Sequence, residues 1–212
     1  MVNYNNILKE IGIIPVIAIE NEEHAVPMAE ALIKGGLNAA EITFRTDAAS
    51  ASIKRISDAF PDMFVCAGTV LSVKQALLAM ESGAKAIISP GTNISLVKWC
   101  IDNNIPIYPG CATPTEVETS TSVMGLETVK LFPAEVVGGI GMLKALYGPY
   151  KNVKFMPTGG ISPQNVAEYL SLPNVIACGG SWICSTDLLN AGDFKTIENN
   201  AKDAAEIVKS LR

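Results

Sequence analysis

The sequence has a single histidine, His24, among its 212 residues. A zinc site built from histidines needs more than one of them, so that class of site is excluded. His24 lies beside acidic residues in ENEEHAVPMAEAL, a context typical of a surface position or the start of a helix. Although histidine is the most common general acid–base residue in enzymes, we expect a function here that uses neither histidine nor a metal.

The sequence also lacks the features of several other protein classes. It has no cluster of lysines or arginines and a net charge of −5, which argues against nucleic-acid binding. The longest apolar stretch, IGIIPVIAI, contains a proline and is too short to span a membrane. The first ten residues, MVNYNNILKE, lack the charged and apolar regions of a signal peptide. We therefore expect a cytoplasmic protein that binds neither nucleic acid nor membrane.

The cysteines indicate no disulfide framework and no metal site. They are odd in number, and none forms a CxxC pair. In a chain of this size, this pattern predicts reduced thiols that mostly fill the core. The cysteines are Cys66, Cys100, Cys111, Cys178 and Cys184.

Short apolar runs rich in β-forming residues alternate with amphipathic helical stretches along the whole chain. A helix is predicted after each run, the last of them at about 194–211, and one more is predicted before the first run at 5–11. Ser162 and Pro163 are predicted to start the helix after the seventh run. The predicted strands are 13–19, 39–44, 63–68, 86–89, 105–110, 128–132, 153–157 and 175–180.

Eight strand–helix units with short connections predict parallel pairing and right-handed crossovers. About 200 residues is the smallest usual size of a TIM barrel. No linker or change in composition marks a second domain. We therefore predict an α/β fold, a single (β/α)8 barrel domain over residues 1–212. A doubly wound open sheet is the alternative, because the number of strands alone does not prove closure.

Polar residues cluster at the carboxyl ends of the predicted strands, where TIM barrels carry their active sites. In EITFRT, Glu41, Thr43 and Arg45 share one face of the strand, and Ile42 and Phe44 share the other. If the apolar pair faces the helices, the polar trio points into the barrel mouth. The alternatives are an edge strand with its polar face in solvent, or a Glu–Arg ion pair that only supports structure.

The sixth predicted strand, TVKLF, contains a lysine between two aliphatic residues. Val129 and Leu131 should face the helices, which turns Lys130 inward. Desolvation and nearby cations such as Arg45 favour the neutral form of an inward lysine. A neutral amine can add to a carbonyl and form an iminium, the electron sink for carbon–carbon bond cleavage. Lys154 is the one competing lysine on a strand, but it lies near the strand's amino end.

Glycine pairs follow the last two predicted strands, in FMPTGGIS and CGGSW. Paired glycines let backbone N–H groups approach an anion closely, and Ser181 adds a hydroxyl group. The loops after strands seven and eight commonly bind phosphate in TIM barrels. Thr69 in CAGTVL and Pro90 in ISPGT are further candidates at the mouth.

With these residues, the chain resembles the 2-keto-3-deoxy-6-phosphogluconate (KDPG) aldolase family, whose members often also cleave 4-hydroxy-2-oxoglutarate (KHG). The similarity runs from about residue 12 to the C-terminus. It rests on the motifs PVIAI, EHAVPMAEAL, EITFRT, AGTVL, ISPGT, VKLFPAE, PTGGISPQN, GGSW and LLNAGDF.

The resemblance implies a class I, metal- and cofactor-independent aldolase of carbohydrate metabolism, in the Entner–Doudoroff pathway, that assembles as a homotrimer on a TIM barrel. It places the Schiff-base lysine at Lys130, the general acid–base residue at Glu41 and the arginine that binds the keto-acid carboxylate at Arg45. Thr69 and Pro90 match positions at the pyruvate end. The positions at the phosphate end are matched by Thr158, Gly159, Gly160 and Ser181.

One position departs from many relatives, which have a basic residue just after the first strand. Here that stretch reads IAIEN, with Ile19 and Glu20. Relatives that are specialised for the galactonate-derived substrate tend to lack the arginine of EITFRT. The presence of Arg45, Gly180 and Ser181 therefore favours cleavage of KDPG to pyruvate and glyceraldehyde 3-phosphate, with KHG cleavage to pyruvate and glyoxylate as a side or main activity.

Two other functions fit the same architecture. In a sugar-phosphate isomerase or epimerase, Glu41 would abstract a proton and Lys130 would stabilise charge without a covalent adduct. In a non-catalytic sensor of phosphorylated ligands, the convergence of a lysine, a glutamate and an arginine would have no explanation. Inactivation by pyruvate together with a hydride reductant distinguishes the aldolase from the isomerase or epimerase, and an absence of turnover would favour the sensor.

Overall fold

A computed structural model describes residues 4–212. Residues 1–3, which begin both the predicted domain and the stretch compared with a signal peptide, lie outside the described residues. The strands are β1 Ile13–Ile17, β2 Ala39–Thr43, β3 Phe64–Gly68, β4 Ala86–Ile88, β5 Ile107–Tyr108, β6 Gly110–Cys111, β7 Thr128–Leu131, β8 Lys154–Pro157 and β9 Cys178–Gly180. The helices are α1 Asn5–Ile11, α2 Ala25–Lys34, α3 Ala49–Ala59, α4 Val73–Glu81, α5 Ile94–Asp102, α6 Pro114–Glu118, α7 Gly139–Tyr147, α8 Val166–Leu170, α9 Thr186–Asn190 and α10 Phe194–Leu211.

Every strand pair within residues 4–212 is parallel. One sheet has the order β5-β4-β3-β2-β1-β9, and the other has the order β6-β7-β8. Two isolated parallel bridges, Phe155 with Val175 and Thr158 with Gly179, join the last strand of the smaller sheet to the region of β9. The predicted α/β class with parallel strands is confirmed.

The fifth predicted strand, 105–110, forms two short strands instead of one. Pro109 separates β5 from β6, and proline has no N–H to donate to a neighbouring strand. Its carbonyl still accepts a hydrogen bond from the backbone N–H of Lys130 at 2.9 Å. The chain therefore keeps its path beside β7 across the break.

The strands bury two different faces. We call the face that packs against the helices the outer face; its core includes Ile42, Val129 and Leu131, with Phe44 packed at its edge. The opposite, inner face has a second core that includes Phe64 and other alternate strand residues. The predicted orientation of β2 and β7, with their aliphatic residues toward the helices, is confirmed.

Helix α1 covers the amino-end side of the inner core. Leu8 is fully buried in that core, and the ring of Tyr4 lies edge-on to Phe64, the first residue of β3, with 5.0 Å between the ring centroids. Thr128, the first residue of β7, donates a hydrogen bond to the Asn5 side chain at 2.9 Å. Apolar side chains and α1 therefore cover the amino-end side of the inner face.

The helices of the structure differ from the predicted ones in three places. Helix α8 begins at Val166 rather than at Ser162, because the side chain of Asn165 turns back to accept a hydrogen bond from the Ser162 N–H at 2.9 Å. The helix after β6 continues beyond α6 as a π-helical turn, Thr119–Val123, where threonine hydroxyls bond to carbonyls four residues earlier. Helix α9 was not predicted.

The remaining composition-based predictions concern His24, the cysteines and membrane spans. His24 ends a 3-10 helix, Glu22–His24, directly before α2, as its context indicated. All five cysteines are free and buried, so their predicted role as core residues is confirmed. Within residues 4–212, no helix has the length and apolar character needed to cross a bilayer.

Candidate active site

Lys130 and Glu41 form a buried ion pair between β7 and β2. The lysine Nζ donates a hydrogen bond to Glu41 Oε1 at 3.2 Å. Lys130 is 4% exposed and Glu41 is 1% exposed. Charged groups are rarely buried so fully because removing them from water carries a large free-energy penalty, so such a pair is a candidate for function. The predicted inward orientation of both side chains is confirmed.

The second carboxylate oxygen of Glu41, Oε2, has no hydrogen-bond partner among residues 4–212. The neighbouring strand β3 approaches Glu41 with Cys66 and Gly68. Burial, and after it the Glu41 carboxylate, raises the pKa of the Cys66 thiol well above its ordinary value. Cys66 is therefore neutral beside Glu41, and the free oxygen can accept a proton or a hydrogen bond from a bound molecule.

Besides Glu41, three neighbours of Lys130 are apolar. Its Nζ lies 5.1 Å from the centroid of the Phe132 ring, and its neighbours across the two adjacent strands are Gly110 and Met156. The competing strand lysine, Lys154, is at the start of β8 and donates a hydrogen bond to the Pro173 carbonyl at 3.0 Å. Only Lys130 of these two is buried against a carboxylate.

Arg45 and Thr69 are brought together beyond the carboxyl ends of β2 and β3. The arginine Nε donates a hydrogen bond to the Thr69 hydroxyl at 3.3 Å. Thr69 has a φ of 55°, in the left-handed region that residues other than glycine seldom occupy and that often marks functional positions. Thr43, the third polar residue of EITFRT, is buried and donates to the Ile17 carbonyl at 3.0 Å. Its hydroxyl group therefore joins β2 to β1.

The two predicted glycine loops are neighbours, because the bridge between Thr158 and Gly179 joins their strands. Gly159 and Gly160 have φ values of 99° and 80°, a left-handed conformation that glycine adopts without strain. The buried hydroxyl oxygen of Thr158 has no hydrogen-bond partner within residues 4–212. Gly180 ends β9 and Ser181, next in the chain, is exposed. The loops therefore offer backbone N–H groups and two hydroxyls.

Pro90 lies beside β6, the neighbour of β7. A Cβ atom on Gly110 would lie 2.1 Å from the Pro90 carbonyl oxygen, so the two backbones are in close contact. Gly110 is the register partner of Lys130. The ISPGT segment therefore packs one strand away from the lysine.

Apart from Pro90, the predicted site residues thus form three groups: Lys130 with Glu41, Arg45 with Thr69, and the two glycine loops. No hydrogen bond or ion pair links these groups to one another within residues 4–212. Two cavities, of about 310 and 510 Å³, lie next to α1. Asn5 lines the first and Tyr4 lines the second, and Lys130 lines neither of them. The buried ion pair joins the inner faces of β7 and β2. Among residues 4–212, two of the buried polar atoms without a partner belong to Glu41 and to Thr158, which follows β8, and the third is the Ser52 hydroxyl in α3.

The family model for KDPG and KHG aldolases matches residues 4–200. The chain belongs to this family. The family is the one that the motifs in the sequence indicated, and its match spans every strand of the structure.

Members of the KDPG/KHG aldolase family are similar to this chain over nearly its full length. The 2-dehydro-3-deoxy-phosphogluconate aldolase of Haemophilus influenzae is 44% identical over 202 residues, which cover 95% of each chain. The KHG/KDPG aldolase of Escherichia coli is 43% identical over 197 residues, or 93% of this chain and 92% of its own. The crystal structure of KDPG aldolase from Legionella pneumophila, with pyruvate captured at low pH as a covalent carbinolamine intermediate, superposes with a TM-score of 0.91 at 38% identity, covering 95% of this chain and 97% of that one.

Two features near the site were missed by sequence reasoning, although each involves a residue in a family motif. Glu135 ends VKLFPAE, and its carboxylate accepts a hydrogen bond from the hydroxyl of Tyr169 in α8. Gly68, in the AGTVL motif of this KDPG/KHG aldolase family member, faces the side chain of Glu41. The motifs could have drawn attention to Glu135 and Gly68, but no sequence signal pairs Tyr169 with Glu135.

Proposed function

We propose that this protein is a class I aldolase that cleaves KDPG to pyruvate and glyceraldehyde 3-phosphate through a Schiff base on Lys130. The observation that carries the proposal is the contact of 3.2 Å between the buried Lys130 amine and the buried Glu41 carboxylate. The carboxylate can take a proton from the ammonium group and leave a neutral amine, which is the nucleophilic form. Membership of the KDPG/KHG aldolase family supports the same chemistry.

In the mechanism we propose, the neutral Lys130 amine adds to the C2 carbonyl of the substrate and forms a carbinolamine. Glu41 gives the proton that it took from the ammonium group to the departing hydroxyl, so that water leaves, an iminium forms and Glu41 is again a carboxylate. Glu41 removes the proton of the C4 hydroxyl group. The C3–C4 bond then breaks, the aldehyde leaves, and the bonding electrons pass into the iminium to give an enamine of pyruvate. Glu41 returns its proton to C3 of the enamine, and water hydrolyses the resulting iminium to release pyruvate.

Arg45 is proposed to bind the carboxylate of the keto acid, with Thr69 and Pro90 beside it at the pyruvate end. The Nε of Arg45 is held by Thr69, and its terminal nitrogens have no partner among residues 4–212. A guanidinium group held in this way presents two parallel N–H donors, which match the two oxygens of a carboxylate.

The phosphate group is proposed to bind between the two glycine loops. The left-handed conformations of Gly159 and Gly160 expose backbone N–H groups, and the hydroxyls of Thr158 and Ser181 add donors. Gly180 lets this loop pass close to the ring of Trp182, where a Cβ atom would lie 2.5 Å from the ring. An anion-binding cup of this kind favours a phosphorylated substrate over KHG.

KHG cleavage to pyruvate and glyoxylate is the second candidate activity, because the E. coli relative is named for both substrates. KHG presents the same 2-keto acid to Lys130 and Arg45. It lacks a phosphate group, so we propose that it binds more weakly than KDPG.

The proposal also includes the closure of the barrel, the oligomeric state and the cellular location of the enzyme. The bridges between β8 and β9, together with the continuous path from β5 to β6, support a single closed (β/α)8 barrel domain over residues 1–212. We also propose a homotrimer in the cytoplasm that takes a small 2-keto acid phosphate as its substrate. The trimer rests on the family resemblance.

Borohydride reduction in the presence of pyruvate, followed by peptide mass spectrometry, tests the mechanism. We expect a reduced pyruvate adduct on the peptide that contains Lys130 and none on Lys154. The Lys130→Met variant should form no adduct and have no measurable turnover. An adduct elsewhere, or wild-type turnover in Lys130→Met, would contradict the mechanism and favour an isomerase or epimerase.

A further inference from the structure

Glu135 and Tyr169 form a hydrogen-bonded pair behind the Gly159–Gly160 loop. The hydroxyl of Tyr169, a fully buried residue of α8, donates to Oε1 of Glu135, whose remaining surface is exposed. Burial, and after it the Glu135 carboxylate, raises the pKa of Tyr169. The tyrosine therefore remains a hydrogen-bond donor throughout the physiological pH range.

Two glycines fit closely around this pair. A Cβ atom on Gly160 would lie 2.4 Å from Cγ of Glu135, and one on Gly139 would lie 2.6 Å from the Tyr169 hydroxyl oxygen. Both glycines have a positive φ, 80° and 51° respectively. The Glu135 side chain thus passes over the backbone of Gly160 on its way to the tyrosine, and the start of α7 packs against the same hydroxyl.

The backbone adds two hydrogen bonds between the same segments. The N–H of Ala134 donates to the Thr158 carbonyl at 2.8 Å, and the N–H of Glu135 donates to the Gly159 carbonyl at 3.1 Å. The segment that leads away from Lys130 is therefore fixed to the glycine loop by its main chain. The Glu135 side chain and Tyr169 extend the same connection to α8.

We propose that Glu135 and Tyr169 are positioning residues that shape the Gly159–Gly160 loop for the phosphate end of the substrate. This inference rests on the proposed function. The tyrosine fixes the carboxylate against the back of the loop. Without that hydrogen bond, the exposed carboxylate can move beside the bound phosphate, where like charges repel, and the loop loses a support for its N–H groups.

The test compares a phosphorylated substrate with pyruvate, which has no phosphate group. In Tyr169→Phe, the ring that packs in the core is kept and only the hydroxyl is lost. We expect the KM for KDPG to rise about tenfold, the effect of losing one hydrogen bond to a charged group. The pyruvate concentration that gives half-maximal borohydride trapping should stay within about twofold of wild type, because Lys130 is untouched.

The chain offers a matched control and a conservative variant. Tyr150 donates a hydrogen bond to Glu118 Oε1 at 2.9 Å at an exposed site beside α6, so Tyr150→Phe loses the same kind of interaction away from the loop and should leave both values unchanged. In Glu135→Gln, the amide oxygen still accepts from Tyr169, so its KM for KDPG should lie closer to wild type than that of Glu135→Ala.

The two measured values separate a role at the phosphate end from a general structural role and from no role. If Tyr169→Phe raises the KM for KDPG and the half-maximal pyruvate concentration by the same factor, the pair has a general structural role. If neither value changes, the pair has no role at the site. Either result overturns this inference and leaves the proposed function standing. If Tyr169→Phe does not fold, Glu135→Ala takes its place. Equal changes in its KM for KDPG and in its half-maximal pyruvate concentration would overturn the inference in the same way. Failure of the wild-type protein to trap pyruvate would overturn the proposed function, and this inference with it.

Discussion

The α carbon of Gly68 lies against the carboxyl group of Glu41. A Cβ atom on residue 68 would lie 2.3 Å from Oε1 and 2.8 Å from Cδ of that side chain. Oε1 is the oxygen that accepts the hydrogen bond from Lys130. The space that glycine leaves on β3 is therefore filled by the proposed acid–base group of β2.

Gly68→Ala should displace the Glu41 carboxylate without unfolding the protein, because the end of a flexible side chain moves more easily than two paired strands. A shift of about 1 Å at a reacting group can lower kcat by about 10²-fold. We expect a loss of that size in steady-state assays with KDPG, with little change in melting temperature. Gly141→Ala is the control, since a Cβ atom there would meet nothing within 4 Å. A fully active Gly68→Ala enzyme would show that the position of Glu41 does not matter.

Glu41→Gln should lower kcat by about 10² to 10⁴-fold, the usual contribution of one general acid–base group. The amide keeps the shape of the side chain but cannot take the proton of the C4 hydroxyl. Stopped-flow assays of KDPG cleavage measure the effect, and Glu30→Gln is the control because it changes an exposed Glu–Lys pair, with Lys34 at 2.8 Å. A loss of less than about fivefold would be incompatible with the proposed acid–base role.

Arg45→Lys should raise the KM for KDPG and the half-saturating concentration of pyruvate by about tenfold or more, since lysine presents no pair of parallel N–H donors. The lysine side chain also has no Nε to bond with Thr69. The comparison is with Arg55→Lys, which changes a partly exposed arginine paired with Glu22 and Glu23. Equal constants in wild type and Arg45→Lys would argue against carboxylate binding by Arg45.

Leu8→Ala should lower the free energy of unfolding by about 2–5 kcal/mol, the usual range for a leucine truncated in a core. Leu8 is fully buried in the inner core, whereas its neighbour Ile7 is 41% exposed. Urea titrations of Leu8→Ala and Ile7→Ala measure the difference, and the second variant should stay close to wild type. Similar stabilities of the two variants would mean that α1 is not a structural part of the inner core.

The protein should become less stable as the pH rises above about 8.5, the ordinary thiol pKa in an unfolded chain. Burial raises the pKa of Cys100 and Cys184 to about 12, and it raises those of Cys66, Cys111 and Cys178 as well. At a pH between the thiol pKa of the unfolded chain and the raised thiol pKa of the folded protein, the unfolded chain loses protons that the folded protein keeps. The free energy of unfolding therefore falls as the pH rises. Urea titrations in reducing buffer at pH 8 and pH 10 measure the fall, which should be smaller in Cys100→Ala. Equal stability at both pH values would contradict the prediction.

The side-chain faces of β2 and β7 could be predicted from the sequence because a strand alternates its faces with every residue. Val129 and Leu131 could both be buried against helices only if Lys130 pointed the other way. The α/β class followed in the same way from the alternation of strands and helices. These patterns are local, so a single sequence contains them.

The parts that could not be predicted depend on contacts between distant segments. Tyr169 reaches Glu135, in the turn after β7, from α8, and Gly68 meets Glu41 from the next strand. The start of α8 at Val166 depends on one asparagine side chain that competes with the more usual Ser–Pro signal. No periodicity in the sequence specifies which of these interactions forms.

The burial of all five cysteines makes the natural sequence a ready background for site-specific labelling. Maleimide dyes react with exposed thiolates, and burial leaves these thiols both covered and protonated. A cysteine introduced at Val136, which is 83% exposed and next to Glu135, would be the one accessible thiol of the chain. A fluorophore at that position would report on the segment between Lys130 and the glycine loop in an enzyme that keeps every other native residue.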